Sequence, residues 1–282
     1  MRFPLADLLA SNLGAKDGLF VVLKSYFDGA NQGDSRQYDV LSLAVVSGTK
    51  DEWIPFEKAW GKVLDKHNAR YLHTTDAVSK ERIYEGWSDT KRDKFLTDCV
   101  KVATKHCARA NVGNVPGKFG LFCFVISFVL KDFVENTKRT PGAPTNVNES
   151  CLRQALGETL LWSENQARCE HCSFFFDQGE PFYGHLCQIM QSKKALRDAY
   201  LLKKIIQRSE TNMEFTPALQ LADLYAWCQT HRLSEWKPKW QVKLLSSHFR
   251  WQWIDKTNIH DVNHNHQKNF LTWKLPKRAA TK

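Results

Sequence analysis

Two apolar runs rich in β-branched and aromatic residues, Leu19–Phe27 and Tyr38–Val46, flank a polar, glycine-bearing segment from Asp28 to Ser35. Runs of this length around one turn-rich segment predict an antiparallel hairpin. Thr49 and Glu52 have capping-box spacing, and Trp53, Phe56, Trp60, Val63 and Leu64 follow on one helical face, so a helix is predicted from Thr49. Arg70–His73 reads as a short strand closed by Thr74-Thr75-Asp76. A second amphipathic helix is predicted from Thr90 to about Ala108, with Phe95, Cys99, Val102, Ala103 and His106 on its stripe. Leu121–Asn136 reads as a strand running into a helix, a stretch in which periodicity alone does not separate the two. Prolines, glycine, threonines and asparagines make Lys138–Asn148 a loop. Beyond it come a helix from Ser150 to about Arg168 and a strand Cys172–Phe176 closed by Asp177-Gln178-Gly179. A helix from Pro181 to about Ser192 and a strand Leu201–Gln207 follow. The last helix opens at Thr216-Pro217 and runs to about His231, with Thr as cap and Pro in the first turn. Strands mixed with helices in this way predict an α/β fold.

Composition narrows the class. Of 282 residues, 43% are hydrophobic and 12% aromatic, enough to fill a core, so disorder is not expected. The N-terminal residues show no basic segment leading into an apolar run, so a secretory leader is not expected. The most apolar stretch, Leu121–Leu130, falls well short of the roughly 20 residues a bilayer-spanning helix needs. Eight cysteines in a chain of this kind are expected as reduced thiols in a cytoplasmic protein.

Charge divides the chain. From Arg232 to Lys282 there are eleven Lys and Arg against three Asp and Glu, a net +8 of the total +10. Five of the ten tryptophans lie in the same stretch: Trp236, Trp240, Trp251, Trp253 and Trp273. Cations interleaved with aromatics suit a polyanion with stackable bases, which makes nucleic acid the expected partner and Lys237, Lys239, Trp240, Lys243, Arg250 and Trp251 the expected contacts. The alternative is an appendage whose tryptophans pack on the core while its lysines stay solvated. The expected organisation is a lead-in over 1–18, a main domain over 19–231 and a basic, Trp-rich extension over 232–282.

Three aspartates stand out by position. Asp28 ends the first strand and Asp177 the strand Ser173–Phe176. Asp223 lies in Leu219-Gln220-Leu221-Ala222-Asp223-Leu224-Tyr225-Ala226-Trp227, a helix apolar nearly all round. A carboxylate buried there is costly unless it is paired, hydrogen-bonded or bound to a cation. Each also has a structural reading: an ion pair for Asp223, and a turn residue for Asp28 before Gly29 and for Asp177 before Gln178-Gly179. Together, carboxylates converging from distant positions suit Mg²⁺ or Mn²⁺, hard ions that take oxygen ligands. Two such ions about 4 Å apart can activate water and stabilise a leaving oxygen in phosphodiester hydrolysis. Glu180 is a further candidate ligand, or an acidic residue favoured at a helix start. Asp76 and His73 are candidate assisting residues, or members of a satisfied turn. Lys24 is expected to face solvent.

Five blocks occur in order: Tyr26-Phe27-Asp28-Gly29-Ala30, the Trp-bearing helix after the second strand, Tyr71-Leu72-His73-Thr74-Thr75-Asp76, Phe175-Phe176-Asp177, and Leu219-Gln220-Leu221-Ala222-Asp223-Leu224-Tyr225-Ala226. The ordered set resembles the bacterial and phage family called domain of unknown function 3800, over about Leu19 to His231. The resemblance implies a ribonuclease H-like mixed β-sheet flanked by α-helices, with Asp28 on the first strand and Asp177 and Asp223 completing an acidic site. The family pattern has Asp-Glu-Ser-Gly after strand one, whereas this chain has Asp28-Gly29-Ala30-Asn31. Gly29 thus stands where the family has Glu, which removes a candidate metal ligand or a contact to strand two; Asp34 in the same segment is a candidate substitute.

Other signals weigh less. Cys169-Glu170-His171-Cys172 is half of a zinc spacing without a second Cys-x-x-Cys. His260, His264 and His266 read as solvated loop residues, and Pro276-Lys277-Arg278 as a basic terminus. The leading expectation is a metal-dependent nuclease using Asp28, Asp177 and Asp223. A nucleic-acid-binding protein without chemistry, or a protein scaffold of the same fold, are the alternatives.

Overall fold

The computed structural model describes residues 21–30, 39–107, 120–141, 145–165, 169–191, 205–247 and 249–259. Asp34, His260, His264, His266, Trp273 and Pro276-Lys277-Arg278 lie outside the described residues. The first apolar run forms β1, Val21–Ala30, and the second forms β2, Val40–Gly48. They pair antiparallel, as the alternation predicts. Thr49 opens helix α1, Lys50–His67; the Glu52 carboxylate reaches back to the Thr49 amide at 2.7 Å, completing the expected capping contact. Trp53, Phe56, Trp60 and Leu64 are its buried face.

The expected strand at Arg70–His73 does not form. Its backbone groups are taken by side chains: the Leu72 amide donates to Gln220 at 3.0 Å, the His73 amide donates to the Tyr84 hydroxyl, and that hydroxyl donates to the Tyr71 carbonyl at 2.6 Å. With those groups satisfied, no ladder partner is needed. Helix α2, Thr74–Ser79, follows directly, and α3, Asp89–His106, begins where the Ser88 hydroxyl accepts from the Lys91 amide. Leu121–Asn136 resolves into strand β3, Phe122–Val129, and helix α4, Leu130–Arg139. The remaining elements are α5 (Val147–Asn165), β4 (Cys169–Asp177), α6 (Pro181–Gln191), β5 (Ile205–Thr211), α7 (Pro217–Thr230), α8 (Lys239–Leu245) and β6 (Arg250–Ile254).

The six strands make one mixed sheet in the order β5-β4-β1-β2-β3-β6. β1, β2 and β3 are a continuous antiparallel meander, while β4 runs parallel to β1, β5 parallel to β4, and β6 parallel to β3. The C-terminal ends of β1, β4 and β5 therefore lie at one edge of the sheet.

Each strand presents alternate residues to two apolar layers. Tyr26, Ala44, Val46, Cys123, Val125 and Phe175 face α1, α3, α7 and α8, while Phe27, Leu43, Val45, Phe124, Phe174 and Phe176 face α5 and α6. On the first face Tyr26 stacks on Phe175 with ring centres 4.9 Å apart and meets Trp53 edge-on at 5.0 Å. Every residue of α7 from Ala218 to Thr230 is buried. That explains why its sequence is apolar all round: it lies against β1, β2 and β3 beneath α1 and α8.

The described residues after Arg232 pack into the same sheet and helical layers as the rest of the described chain. β6 is the sixth strand of the sheet and α8 packs on α3 and α7. No described helix is long and apolar enough to cross a membrane.

Candidate active site

Asp28 is not a turn residue. β1 continues through Gly29 and Ala30, with Asp28 opposite Ala44 and Ala30 opposite Ser42 on β2. In the parallel ladder Tyr26 is level with Phe175 and Phe27 with Phe176. Asp28 and Asp177, each one residue further on, therefore point to the same face, the one covered by α7. Asp177 is the last residue of β4 and is level with Thr211 on β5.

α7 brings the third carboxylate from above. Asp223 is buried, and its Oδ2 accepts from the Thr74 amide at 2.6 Å. Asp177 Oδ1 accepts from the Met213 amide at 3.0 Å. These two amides fix Asp223 and Asp177 in orientation and are charge-assisted donors to their anionic forms.

The carboxylates share one electrostatic environment. Asp28 is only 3% exposed. Burial pushes its pKa well above the ordinary value, and the charges of Glu180, Asp223 and Asp177 push it further, against a single opposing hydrogen bond from Gly29. Burial also raises Asp177; backbone bonds from Gln178 and Met213 oppose this, Asp223 adds to it and His73 opposes it. For Asp223 burial is again the main cause, with His73 and Thr74 opposing and Asp76 adding. Asp28 thus lies in the field of Glu180, Asp223 and Asp177, while His73 acts on Asp177 and Asp223 and Asp76 acts on Asp223. His73 Nδ1 is 3.0 Å from Asp76 Oδ2, and Arg82 Nε is 3.5 Å from the same oxygen. Among the described residues no Lys or Arg forms an ion pair with Asp28, Asp177 or Asp223.

The donor set is oxygen-rich and anionic, which fits a hard divalent cation better than zinc or copper. No group of three or more His, Cys, Asp or Glu among the described residues is arranged to hold a metal ion.

The expected nucleic-acid contacts divide. Lys237, Lys239 and Lys243 are exposed. Trp251 is 44% exposed, with the Arg232 guanidinium 4.2 Å above its ring. Trp240 is not available to a base: it is 2% exposed and packs among Trp227 and Trp236. Arg250 is also committed, 2.9 Å from the buried Glu158 of α5, so it ties β6 to the opposite layer. Trp251 is in register with Val125, Ala44 and Asp28 across the sheet. Three strand spacings separate it from Asp28, roughly 14 Å. Trp240→Ala is expected to cost about 3–5 kcal/mol of stability, as for other large core truncations. Chemical denaturation checks this; a variant as stable as wild type would return Trp240 to the surface role.

Gln220 is the residue the sequence reading passed over. It lies three positions before Asp223 on the same helical face. Its Oε1 accepts from Trp60 Nε1 at 2.8 Å and from the Leu72 amide at 3.0 Å, and its Nε2 donates to the Met213 carbonyl at 2.9 Å. It therefore ties the two segments whose amides hold Asp223 and Asp177. Gln220, like Asp223, is a polar group inside a helix apolar nearly all round and stands out in the sequence on the same ground. The Met213 amide had no sequence signal, because any residue but proline supplies one. Neither protein-family models nor curated protein sequences give a match to this chain.

Proposed function

We propose that this chain is a metal-dependent phosphodiesterase of ribonuclease H-like fold that hydrolyses nucleic acid, within the domain of unknown function 3800 group its ordered blocks resemble. An antiparallel three-strand meander extended by two parallel strands supports the fold assignment. The observation that carries the chemistry is Asp28, almost fully buried in the field of three other carboxylates with no Lys or Arg paired to it among the described residues. Burying carboxylates in this way is costly, and a fold that does so with no Lys or Arg paired to Asp28, Asp177 or Asp223 among the described residues has the charge pattern of a cation site.

Asp28, Asp177 and Asp223, with Glu180, would hold Mg²⁺ or Mn²⁺, and such an ion supplies Lewis-acid polarisation of a phosphoryl oxygen and a more acidic water. The protein's part is positioning. Asp28 lies under α7, where water is excluded. The Thr74 and Met213 amides orient Asp223 and Asp177. His73, whose Nδ1 lies 3.0 Å from Asp76 Oδ2, stands beside the carboxylates as a candidate assisting residue.

The test is incubation of the purified protein with labelled single- and double-stranded DNA and RNA. Cleavage is expected in Mg²⁺ or Mn²⁺ and none in excess chelator. The absence, among the described residues, of a group of three or more His, Cys, Asp or Glu arranged to hold a metal ion favours a second reading, a binding protein without chemistry. Salt-sensitive binding with no cleavage in either metal would select that reading. Absence of binding even at low salt would leave a protein scaffold.

A further inference from the structure

We propose that Arg70 and Phe215 form a nucleotide-gripping rim beside the acidic site: Phe215 stacks on a base next to the scissile phosphate and Arg70 engages the adjoining backbone. The inference rests on the phosphodiesterase reading and names the contact that reading lacks, since Trp240 and Arg250 are already committed elsewhere.

Four observations carry it. Phe215 is 57% exposed, among the more exposed large apolar side chains of the described residues. It sits in the short 3₁₀ turn Met213–Phe215, whose first amide holds Asp177. Chain reach of at most ~3.6 Å per residue keeps the Phe215 backbone within about 7 Å of Met213, one nucleotide from the site. Arg70 comes from the other wall, on the segment that leads through Leu72 to the Thr74 amide on Asp223, and Gln220 ties the two walls together.

The pair is built for a planar, anionic ligand. The Arg70 guanidinium lies 5.8 Å from the Phe215 ring centre, within cation–π range. It is also 3.1 Å from Glu214, but Arg70 is 64% exposed and Glu214 34%. An ion pair that open is weak, so a phosphate can compete for the guanidinium. An aromatic face with a cation beside it is how proteins hold single-stranded nucleic acid without reading sequence. The acidic cluster alone would repel the phosphate backbone; a cation at its rim offsets that repulsion where the strand enters.

The experiment measures fluorescence anisotropy in chelator with a labelled 12-nucleotide single-stranded DNA and its fully abasic counterpart, alongside KM and kcat for cleavage in Mg²⁺ or Mn²⁺. Phe215→Ala is expected to weaken binding of the base-bearing strand by roughly 5- to 150-fold, leave abasic binding unchanged, and raise KM with kcat little affected. Phe215→Tyr restores the affinity. Arg70→Gln weakens both strands and lowers the slope of log affinity against log salt by about 1. Loss of equal size on both strands, or none on either, overturns the rim. Cleavage by wild type with an unchanged KM in Phe215→Ala overturns the rim alone; a wild-type protein that neither binds nor cleaves overturns the phosphodiesterase reading with it.

Discussion

Asp28→Asn and Asp223→Asn are each expected to lower the proposed metal-dependent cleavage by about three orders of magnitude, and Asp28→Asn to raise the melting temperature of the metal-free protein at neutral pH. The first effect corresponds to roughly 4 kcal/mol of lost transition-state stabilisation, the scale expected when a carboxylate ligand to a catalytic ion is removed. The second follows from the environment of Asp28: it is desolvated and faces Glu180, Asp223 and Asp177, so its ionised form is disfavoured. A carboxyl whose folded pKa lies above its unfolded value adds stability at low pH and loses it as pH rises through the folded value. Asp28, Asp177 and Asp223 are all raised from an ordinary 3.8, so the metal-free protein loses stability as pH climbs from that value upward. A bound divalent cation favours the ionised forms, so added Mg²⁺ raises the melting temperature more at pH 8 than at pH 5. Thermal melts across pH, with and without Mg²⁺, check both signs. Equal cleavage by wild type and both variants would remove the proposed roles. Asp28→Asn melting below wild type at pH 8 without metal would show that the carboxylate is held by compensation not accounted for.

Gln220→Met is expected to unfold about 10 °C or more below wild type and to remove the proposed cleavage even where the variant remains folded. Methionine keeps the length and volume of the side chain but none of its polar atoms. Trp60 Nε1, the Leu72 amide and the Met213 carbonyl then lose their partner in the interior. Each buried group left unsatisfied costs about 1–3 kcal/mol, a large fraction of the ~5–15 kcal/mol that holds a domain together. In a domain of this size ~1 kcal/mol moves the melting temperature by about 2–4 °C. The loss of activity has a separate cause: the Leu72–Thr74 and Met213 segments are no longer tied, so the amides holding Asp223 and Asp177 shift. Melting curves and cleavage assays below the variant's own transition separate the two. A variant with wild-type melting would mean that those groups find other partners.

Much of the fold was legible because period and caps are local. The hairpin of β1 and β2, the capping box of α1 and the helix expected from Thr90 and found over Asp89–His106 all follow from residues within one or two turns of each other, whereas the point at which Leu121–Asn136 passes from strand to helix does not. The errors lie where distant groups satisfied a backbone that local reading left alone. Arg70–His73 has a strand's composition but gives its hydrogen-bonding groups to Gln220 and Tyr84. Asp28-Gly29 has a turn's composition, yet β2 supplies partners that carry β1 two residues beyond Asp28. The basic, Trp-rich segment after Arg232 reads as an appendage by charge, but Trp240 and Ile254 are needed in the two apolar layers.

The sequence by itself determined that Asp28, Asp177 and Asp223 would be unusual: a carboxylate next to an apolar strand or inside an apolar helix must find a partner, and that cost is set by the residue and its immediate neighbours. Only the tertiary structure decided that they find one another. Convergence depends on β4 pairing parallel beside β1, which puts Asp177 level with Asp28, and on α7 lying against β1. Those pairings join positions nearly two hundred residues apart through strand register and layer packing, and no local pattern encodes either.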